Sequence, residues 1–139
     1  MVLSDFWSEK RVFISGHTGF KGSWLTFWLT QIGAKITGYA LDPSTDPSLF
    51  NSFEIAKSII DHRDDIRDLS SLKSVMKSFE PEIIVHMAAQ SLVMESYRDP
   101  VGTYATNVMG TVNIMEAARS CDSVRVILVV TSDKCYENR

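Results

Sequence analysis

The chain has little cysteine: two residues in 139, Cys121 and Cys135. Two thiols make no disulfide framework, and a chain this long buries enough surface in one core to need none. Free thiols fit a reducing compartment, so the cytoplasm is expected. An excess of basic charge is also lacking. Lysine and arginine number 14 against 17 acidic residues, a formal net charge of −3, and the basic side chains are scattered, so no nucleic-acid partner is indicated. Long apolar runs are absent. The longest, residues 24–32, is broken by Thr26, Thr30 and Gln31 and falls well short of the roughly 20 residues of a membrane span. The first ten residues hold Asp5, Glu9 and Lys10 and no apolar stretch of the secretory kind, so no membrane partner is expected. What remains, 45% hydrophobic and 22% charged, is the composition of one globular domain.

What is there is alternation. Residues 11–15 form a short apolar run that stops at Gly16, a buried strand. Residues 21–32 carry Trp24, Leu25, Phe27, Trp28, Leu29 and Ile32 at helical spacing, closed by Gly33; Trp24, Phe27 and Trp28 are expected to pack on the sheet. Residues 35–41 read as a second strand, 42–46 as a loop, 49–56 as a short helix and 58–61 as a third strand. A helix over 70–79 has Leu72, Val75, Met76 and Phe79 on one face, and 82–87 is a fourth strand. A long helix over 100–119 presents Val101, Tyr104, Ala105, Val108, Val112 and Met115, and 124–130 is a fifth strand.

Strands that read as unbroken apolar runs are buried on both faces, so helices must cover both. Alternation with right-handed crossovers gives an α/β fold, a Rossmann-like doubly wound parallel sheet of about five strands in order 3-2-1-4-5. Ligands of such sheets bind beyond the carboxyl ends of the strands, at the switch between strands 1 and 4.

The first of those ends carries Gly16-His17-Thr18-Gly19-Phe20-Lys21-Gly22, running straight into a helix. Glycines there permit the tight turn, the close approach of a pyrophosphate and the packing of helix on sheet, while the helix N-terminus offers unpaired N–H groups to the phosphates. A strand before and a helix after make this a dinucleotide loop.

The Gly-x-x-Gly-x-x-Gly spacing resembles the short-chain dehydrogenase/reductase superfamily in its extended, nucleotide-sugar branch. Other segments agree. Asp64-Asp65-Ile66-Arg67-Asp68 is similar to the family's adenine contact, with Asp65 and Ile66 at the ring. His86-Met87-Ala88-Ala89-Gln90-Ser91 resembles the loop after strand 4, and Asn107-x-x-Gly110-Thr111 the family's helix motif. The 16–25 stretch together with 131–138 resembles the CDP-glucose 4,6-dehydratase family. Most relatives have a hydrophobic residue at Lys21, and most other sugar-nucleotide dehydratases have Glu at Lys134.

The resemblance implies binding of a nicotinamide cofactor through Gly16, His17, Thr18, Gly19, Phe20, Lys21, Gly22, Asp65, Ile66, Ala88, Ala89, Gln90 and Asn107. NAD is the expected form. Asp42, close after strand 2, is placed to accept from the adenosine ribose and to repel a 2′-phosphate, and no arginine stands nearby in the sequence. Asp42 fits a turn before Pro43 equally well. The residues expected to carry the reaction are Ser132, Asp133 and Lys134. Ser132 matches the hydroxyl that assists oxidation at sugar C4, and Asp133 the acid that protonates the departing C6 hydroxyl, which requires a pKa raised above about 3.9. Lys134 admits two roles, a desolvated base at C5 or a cation beside the developing enolate, with an ion pair to Glu137 as the plain alternative. The partner is a nucleotide sugar, dehydrated in the course of deoxysugar synthesis.

The family's Tyr-x-x-x-Lys dyad is absent. Tyr39, Tyr97 and Tyr104 have the wrong fourth neighbour, and Tyr136 lies three residues from the end. Residues 1–139 are therefore expected to be the N-terminal part of a dinucleotide-binding domain, without the substrate domain, able to bind dinucleotide but not to turn over. An epimerase, or a non-catalytic dinucleotide-binding module, is the competing reading. An unprotected fifth strand, with Val124, Val126, Leu128 and Val130 towards solvent, points to self-association, hence a homo-oligomer. The histidines and cysteines lack zinc-ligand spacing, so no metal is expected. His86 and Cys121 read as packed residues, and Gly110 in mid-helix suggests that another backbone comes close.

Overall fold

The computed structural model describes residues 3–132 and 137; Asp133, Lys134 and Cys135 lie outside them. A short helix α1 (Leu3–Trp7) precedes β1 (Arg11–Ser15), α2 (Phe20–Gln31) and β2 (Lys35–Ala40). Then come α3 (Leu49–Ser52), a 3₁₀ turn (Ile55–Ser58), β3 (Ile60–Arg63), α4 (Leu69–Phe79) and β4 (Ile83–His86). After α5 (Val93–Arg98), α6 (Pro100–Tyr104) runs through a π-helical turn (Ala105–Met109) into α7 (Gly110–Arg119), and β5 (Val126–Val129) follows.

The five strands are parallel in the order β3-β2-β1-β4-β5, as the alternation predicts. Ser15 stands opposite both Tyr39 and His86, and Ala40 opposite Arg63, so the carboxyl ends of the strands form one edge. Successive side chains of a strand point to opposite faces, and the core divides accordingly. Phe13 and Ile84 face Leu72, Met76, Ile114 and Ala117 of α4 and α7. Val12, Ile14, Ile36 and Val85 face Leu29 of α2. Local signals fix the helix ends. The Asp68 side chain accepts from the Ser71 N–H and Asp99 from that of Gly102, with Pro100 in the first turn. Gly33, at φ +88°, turns the chain out of α2.

Several expectations change. On α2 the buried stripe is Gly22, Ser23, Thr26 and Leu29, while Trp24 and Trp28 are half exposed. This helix is apolar on most sides, so periodicity selects no face; its small residues pack inward and bring it close to the sheet. Trp24 and Phe27 instead meet Phe53, at 5.3 and 4.8 Å between ring centroids. On α7 the buried residues are Gly110, Ile114, Ala117 and Ala118, whereas Val101, Tyr104, Val108, Val112 and Met115 are exposed. The helix has two apolar stripes, and the small-residue one packs inward. At Gly110 the close neighbour is a side chain, not a backbone: a Cβ there would stand 2.8 Å from Ile66 Cγ2. β3 starts at Ile60, because the 3₁₀ turn takes up the residues before it. Val126, Leu128 and Val130 are exposed as expected, but Val124 packs against the core. Helices α1 and α5 have no counterpart in the sequence reading.

Candidate functional site

The site is built at the carboxyl edge of the sheet, where β1 turns into α2. Gly16 sits at φ +77°, a conformation that favours glycine, and its N–H donates to the Tyr39 carbonyl at 3.0 Å. A Cβ on Gly16 would lie 2.7 Å from the Ala88 nitrogen, and one on Gly22 2.0 Å from the Gly16 carbonyl oxygen. These two glycines press the turn against the exit of β4 and the first turn of α2. Gly19 differs. It is the N-cap of α2 and supplies no side chain to the first-turn N–H groups. A Cβ on it would meet only the Gly16 oxygen, at 3.4 Å, and otherwise open space. The result is a positive helix end facing a cradle that any side chain would begin to fill. Thr18 Oγ1 donates to the Leu41 carbonyl at 2.9 Å, and buried Ser23 Oγ to that of His17 at 3.0 Å, which holds the loop.

A cleft of about 380 Å³ opens over this turn. Gly16, Thr18 and Gly19 form one wall, Asp42, Asp65 and Ile66 a second, and Ala88, Ala89 and Gln90 a third. The other loop residues surround it. His17 is buried beneath and Gly22 is buried in α2, while Phe20 and Lys21 are exposed at the helix start. Asn107 stands behind Gln90: its Oδ1 accepts from the Gln90 N–H at 2.7 Å and its Nδ2 donates to the Gln90 carbonyl at 2.9 Å. The π-helical turn carries Asn107, and such turns recur at functional sites. Gln90 is fixed again through Nε2 to Thr103 Oγ1 at 3.1 Å.

A second chain of hydrogen bonds sets the strand ends. Ser15 Oγ accepts from the N–H groups of Met87 and Ala88 and lies 2.6 Å from His86 Nδ1. Its own proton therefore points to Nδ1. That leaves the proton of the imidazole on Nε2, 3.0 Å from Thr111 Oγ1, which in turn donates to the Asn107 carbonyl at 2.6 Å. Burial lowers the pKa of His86, consistent with this neutral form. Across the cleft, Asp65 receives the Arg67 guanidinium, whose hydrogen bonds hold its carboxyl below the ordinary range. Ile66 is nearly buried, and Asn113 Nδ2 donates to its carbonyl at 3.1 Å.

One expectation is corrected here. An arginine does stand beside Asp42. The register that pairs Ala40 with Arg63 brings Arg63 Nη1 to 2.9 Å from Asp42 Oδ1, across 21 residues of sequence. Arg63 also bonds Asp61 through Nε and Nη2, and Asp61 lies 2.7 Å from His17 Nε2. Burial pushes the Asp61 carboxyl up, but the bonds from Arg63 and His17 outweigh it and its pKa is lowered. Desolvation is the largest influence on His17 and lowers its pKa despite Asp61. Only the Asp61–Arg63 half of this cluster had a local signal in the sequence. Asp61 and Arg63 are two apart in a strand, hence on one face, at the carboxyl end.

Ser132 is exposed, three residues beyond the end of β5 on the same edge of the sheet, and does not line the cleft. Among the described residues no group of three His, Cys, Asp or Glu side chains is placed to hold a metal, and no helix is long and apolar enough to cross a membrane. The uncapped helix end, the cradle at Gly19 and the carboxylates and apolar floor along the cleft fit a dinucleotide.

Residues 13–136 match a family model described as GDP-mannose 4,6 dehydratase. The chain is 50% identical over its whole length to CDP-glucose 4,6-dehydratase of Salmonella typhimurium, covering 39% of that protein. It is 32% identical to UDP-glucose 4-epimerase of Mycolicibacterium smegmatis over 91% of this chain and 40% of that protein. The chain thus spans about two-fifths of the length of these relatives. Among solved structures, UDP-glucose 4-epimerase from Brucella ovis in complex with NAD superposes with a TM-score of 0.69 at 28% identity, over 86% of this chain and 35% of that one. UDP-glucose-4-epimerase from Stenotrophomonas maltophila, with bound NAD and formylated UDP-arabinopyranose, superposes with a TM-score of 0.82 over 94% of this chain and 39% of that one; at 22% identity the likeness is one of fold.

Proposed function

The chain belongs to the GDP-mannose 4,6 dehydratase family, and from that premise we propose that it is the NAD-binding part of a nucleotide-sugar 4,6-dehydratase whose substrate is CDP-glucose. The observation that carries the reading is the 50% identity, along every residue of the chain, to a CDP-glucose 4,6-dehydratase. Residues 1–139 supply the dinucleotide-binding domain up to β5. The Tyr-x-x-x-Lys dyad and the sugar-binding domain belong to the remainder of such an enzyme.

The chain's own residues have distinct tasks. The first-turn N–H groups of α2, left uncapped by Gly19, hold the diphosphate. Asp42 accepts from the adenosine ribose, and Asp65 and Ile66 border the adenine. The Ala88-Ala89-Gln90 wall, held by Asn107, closes the nicotinamide side. Bound NAD supplies a hydride acceptor at C4 and the same hydride for C6, so the net reaction is loss of water. Ser132, on the carboxyl edge, holds the 4-hydroxyl while its proton leaves. Asp133 protonates the departing C6 hydroxyl, and Lys134 takes the C5 proton as a neutral amine or, if charged, steadies the enolate.

The test uses the protein that contains this chain together with its downstream Tyr-x-x-x-Lys. CDP-glucose, GDP-mannose, dTDP-glucose and UDP-glucose are supplied in turn and product is read by mass. Loss of one water from CDP-glucose, in preference to the others, is expected; no loss from any of them refutes the reading. The 139-residue chain alone should bind NAD without turnover, and measurable turnover by it contradicts the division of labour. Lys134→Ala should abolish C5 proton exchange with solvent and spare C4 oxidation; normal exchange removes Lys134 from the mechanism. A homo-oligomer fits the exposed apolar stripe of α6 and α7, where Val101, Tyr104, Val112 and Met115 stand, and light scattering that shows the protein containing this chain to be a stable monomer counts against it. The cytoplasm fits the free thiol of Cys121.

A further inference from the structure

Beside the dinucleotide cleft, and sharing Asp42 and Ser44 with it, lies a second cleft of about 630 Å³. Its lining carries three carboxylates, Asp42, Asp46 and Asp61, and a single cation, Arg63. Every arm of that guanidinium is engaged. Nε and Nη2 bond Asp61 at 2.8 and 2.9 Å, Nη1 bonds Asp42 at 2.9 Å, and the plane lies over the Phe50 ring, 4.7 Å from its centroid. The inner half of this arrangement is braced on several sides. Asp61 is held from the far side by His17, and the His17 ring packs on β2 so closely that a Cβ at Gly38 would touch it at 2.4 Å. The outer half is not. The Asp42 side chain is 87% exposed and is the partner of Arg63 that stands in the loop after β2.

We propose that the Asp42–Arg63 ion pair is a latch that sets cofactor choice: closed, it bars a 2′-phosphate from the second cleft; with Asp42 removed, Arg63 becomes the ligand of that phosphate. The inference rests on the dinucleotide reading of the first cleft, because only then does the adenosine ribose reach Asp42. A 2′-hydroxyl donates to Asp42 and leaves the pair intact. A 2′-phosphate must break the Nη1 bond and stand beside Asp42 and Asp46, two like charges. Once Asp42 is gone, Nη1 is unengaged, still aimed at the shared rim and still fixed by Asp61, and a guanidinium so oriented is a phosphate donor.

Isothermal titration of the full chain with NAD, NADP, 5′-AMP and adenosine 2′,5′-bisphosphate tests this in the parent, in Asp42→Ser and in Asp42→Ser/Arg63→Met. One charge-assisted hydrogen bond gained is roughly a 10- to 100-fold change. The parent should favour NAD over NADP. Asp42→Ser should shift the NADP-to-NAD affinity ratio by that factor, with the bisphosphate gaining in parallel over 5′-AMP, and the double variant should lose the gain. The latch is refuted if adenosine 2′,5′-bisphosphate gains nothing over 5′-AMP in folded Asp42→Ser, whatever becomes of NAD binding, or if the gain survives loss of Arg63. If the parent binds neither dinucleotide, the dinucleotide reading fails and the latch with it, a result distinct from the other two. Circular dichroism establishes that each variant is folded; the exposure of Asp42 makes its replacement benign to the fold.

Discussion

Gly19 caps α2 and Gly22 lies in its first turn, three residues apart, yet alanine should do opposite things at the two positions. A methyl on Gly22 would stand 2.0 Å from the Gly16 carbonyl oxygen, 2.8 Å from its carbon and 2.9 Å from His17 Cα. All three neighbours are backbone, so no rotamer change relieves the contact, and the β1–α2 turn must move by more than an ångström in a close-packed interior. Overpacking of this kind costs about 1–3 kcal/mol, and the absence of a side chain that can yield puts Gly22→Ala at the upper end, about 3 kcal/mol. For a chain of this size that corresponds to a fall in Tm of about 10 °C. At Gly19 the backbone is extended, φ −71° and ψ 166°, which alanine adopts freely, and the methyl has open space. Stability should be unchanged or rise by up to about 1 kcal/mol. The methyl then occupies the cradle, and NAD affinity should fall about tenfold or more, the loss of one charge-assisted hydrogen bond. Thermal denaturation by circular dichroism and calorimetric titration with NAD separate the two effects. A Gly22→Ala chain that melts within about 2 °C of the parent, or a Gly19→Ala chain that binds NAD as tightly as the parent, refutes the reasoning.

Asn107→Ala removes both hydrogen bonds to the Gln90 backbone and leaves that N–H and carbonyl unsatisfied, so a loss of about 1–3 kcal/mol in denaturant unfolding is expected, together with weaker NAD binding. An unchanged midpoint contradicts it. Stability should also fall on mild acidification. Burial lowers the pKa of His17 and of His86 below the ordinary 6.5, so the folded chain takes up these protons less readily than the unfolded chain does. Their contribution is fully present above pH 6.5 and is lost as pH falls from there towards the folded values, by up to about 1.4 kcal/mol per pH unit for each histidine. A denaturation midpoint that stays level or rises between about pH 7 and pH 5 is the contrary result.

The parts of the fold and site that were legible in the sequence are those fixed by local chemistry. The strands read at 11–15 and 82–87 were legible from their apolar hearts, Val12-Phe13-Ile14 and Ile83-Ile84-Val85, which are buried on both faces. The turn from Gly16 to Gly22 was legible because its demands, a positive φ and two close backbone approaches, are met by glycine and by little else. Helix faces were harder. Both α2 and the α6–α7 helix carry apolar residues on more than one side, and which side meets the sheet depends on side-chain size across the interface. The Asp42–Arg63 pair was missed for a different reason. Its members lie 21 residues apart and are joined only by the parallel register of β2 and β3, a tertiary fact. Asn113, which ties α7 to the Ile66 and Arg67 carbonyls, has no local signature at all.

If the turn opening at Gly16 and the N-terminus of α2 grip a dinucleotide diphosphate, the amides there must respond to NAD. An amide-resolved NMR titration of the full chain with NAD tests it most directly. The largest saturable shifts are expected at the N–H groups of Gly19, Phe20, Lys21 and Gly22, with smaller ones at Asp42, Asp65 and Ala89. Saturable binding that leaves those four amides unmoved and shifts residues away from this edge of the sheet would contradict it.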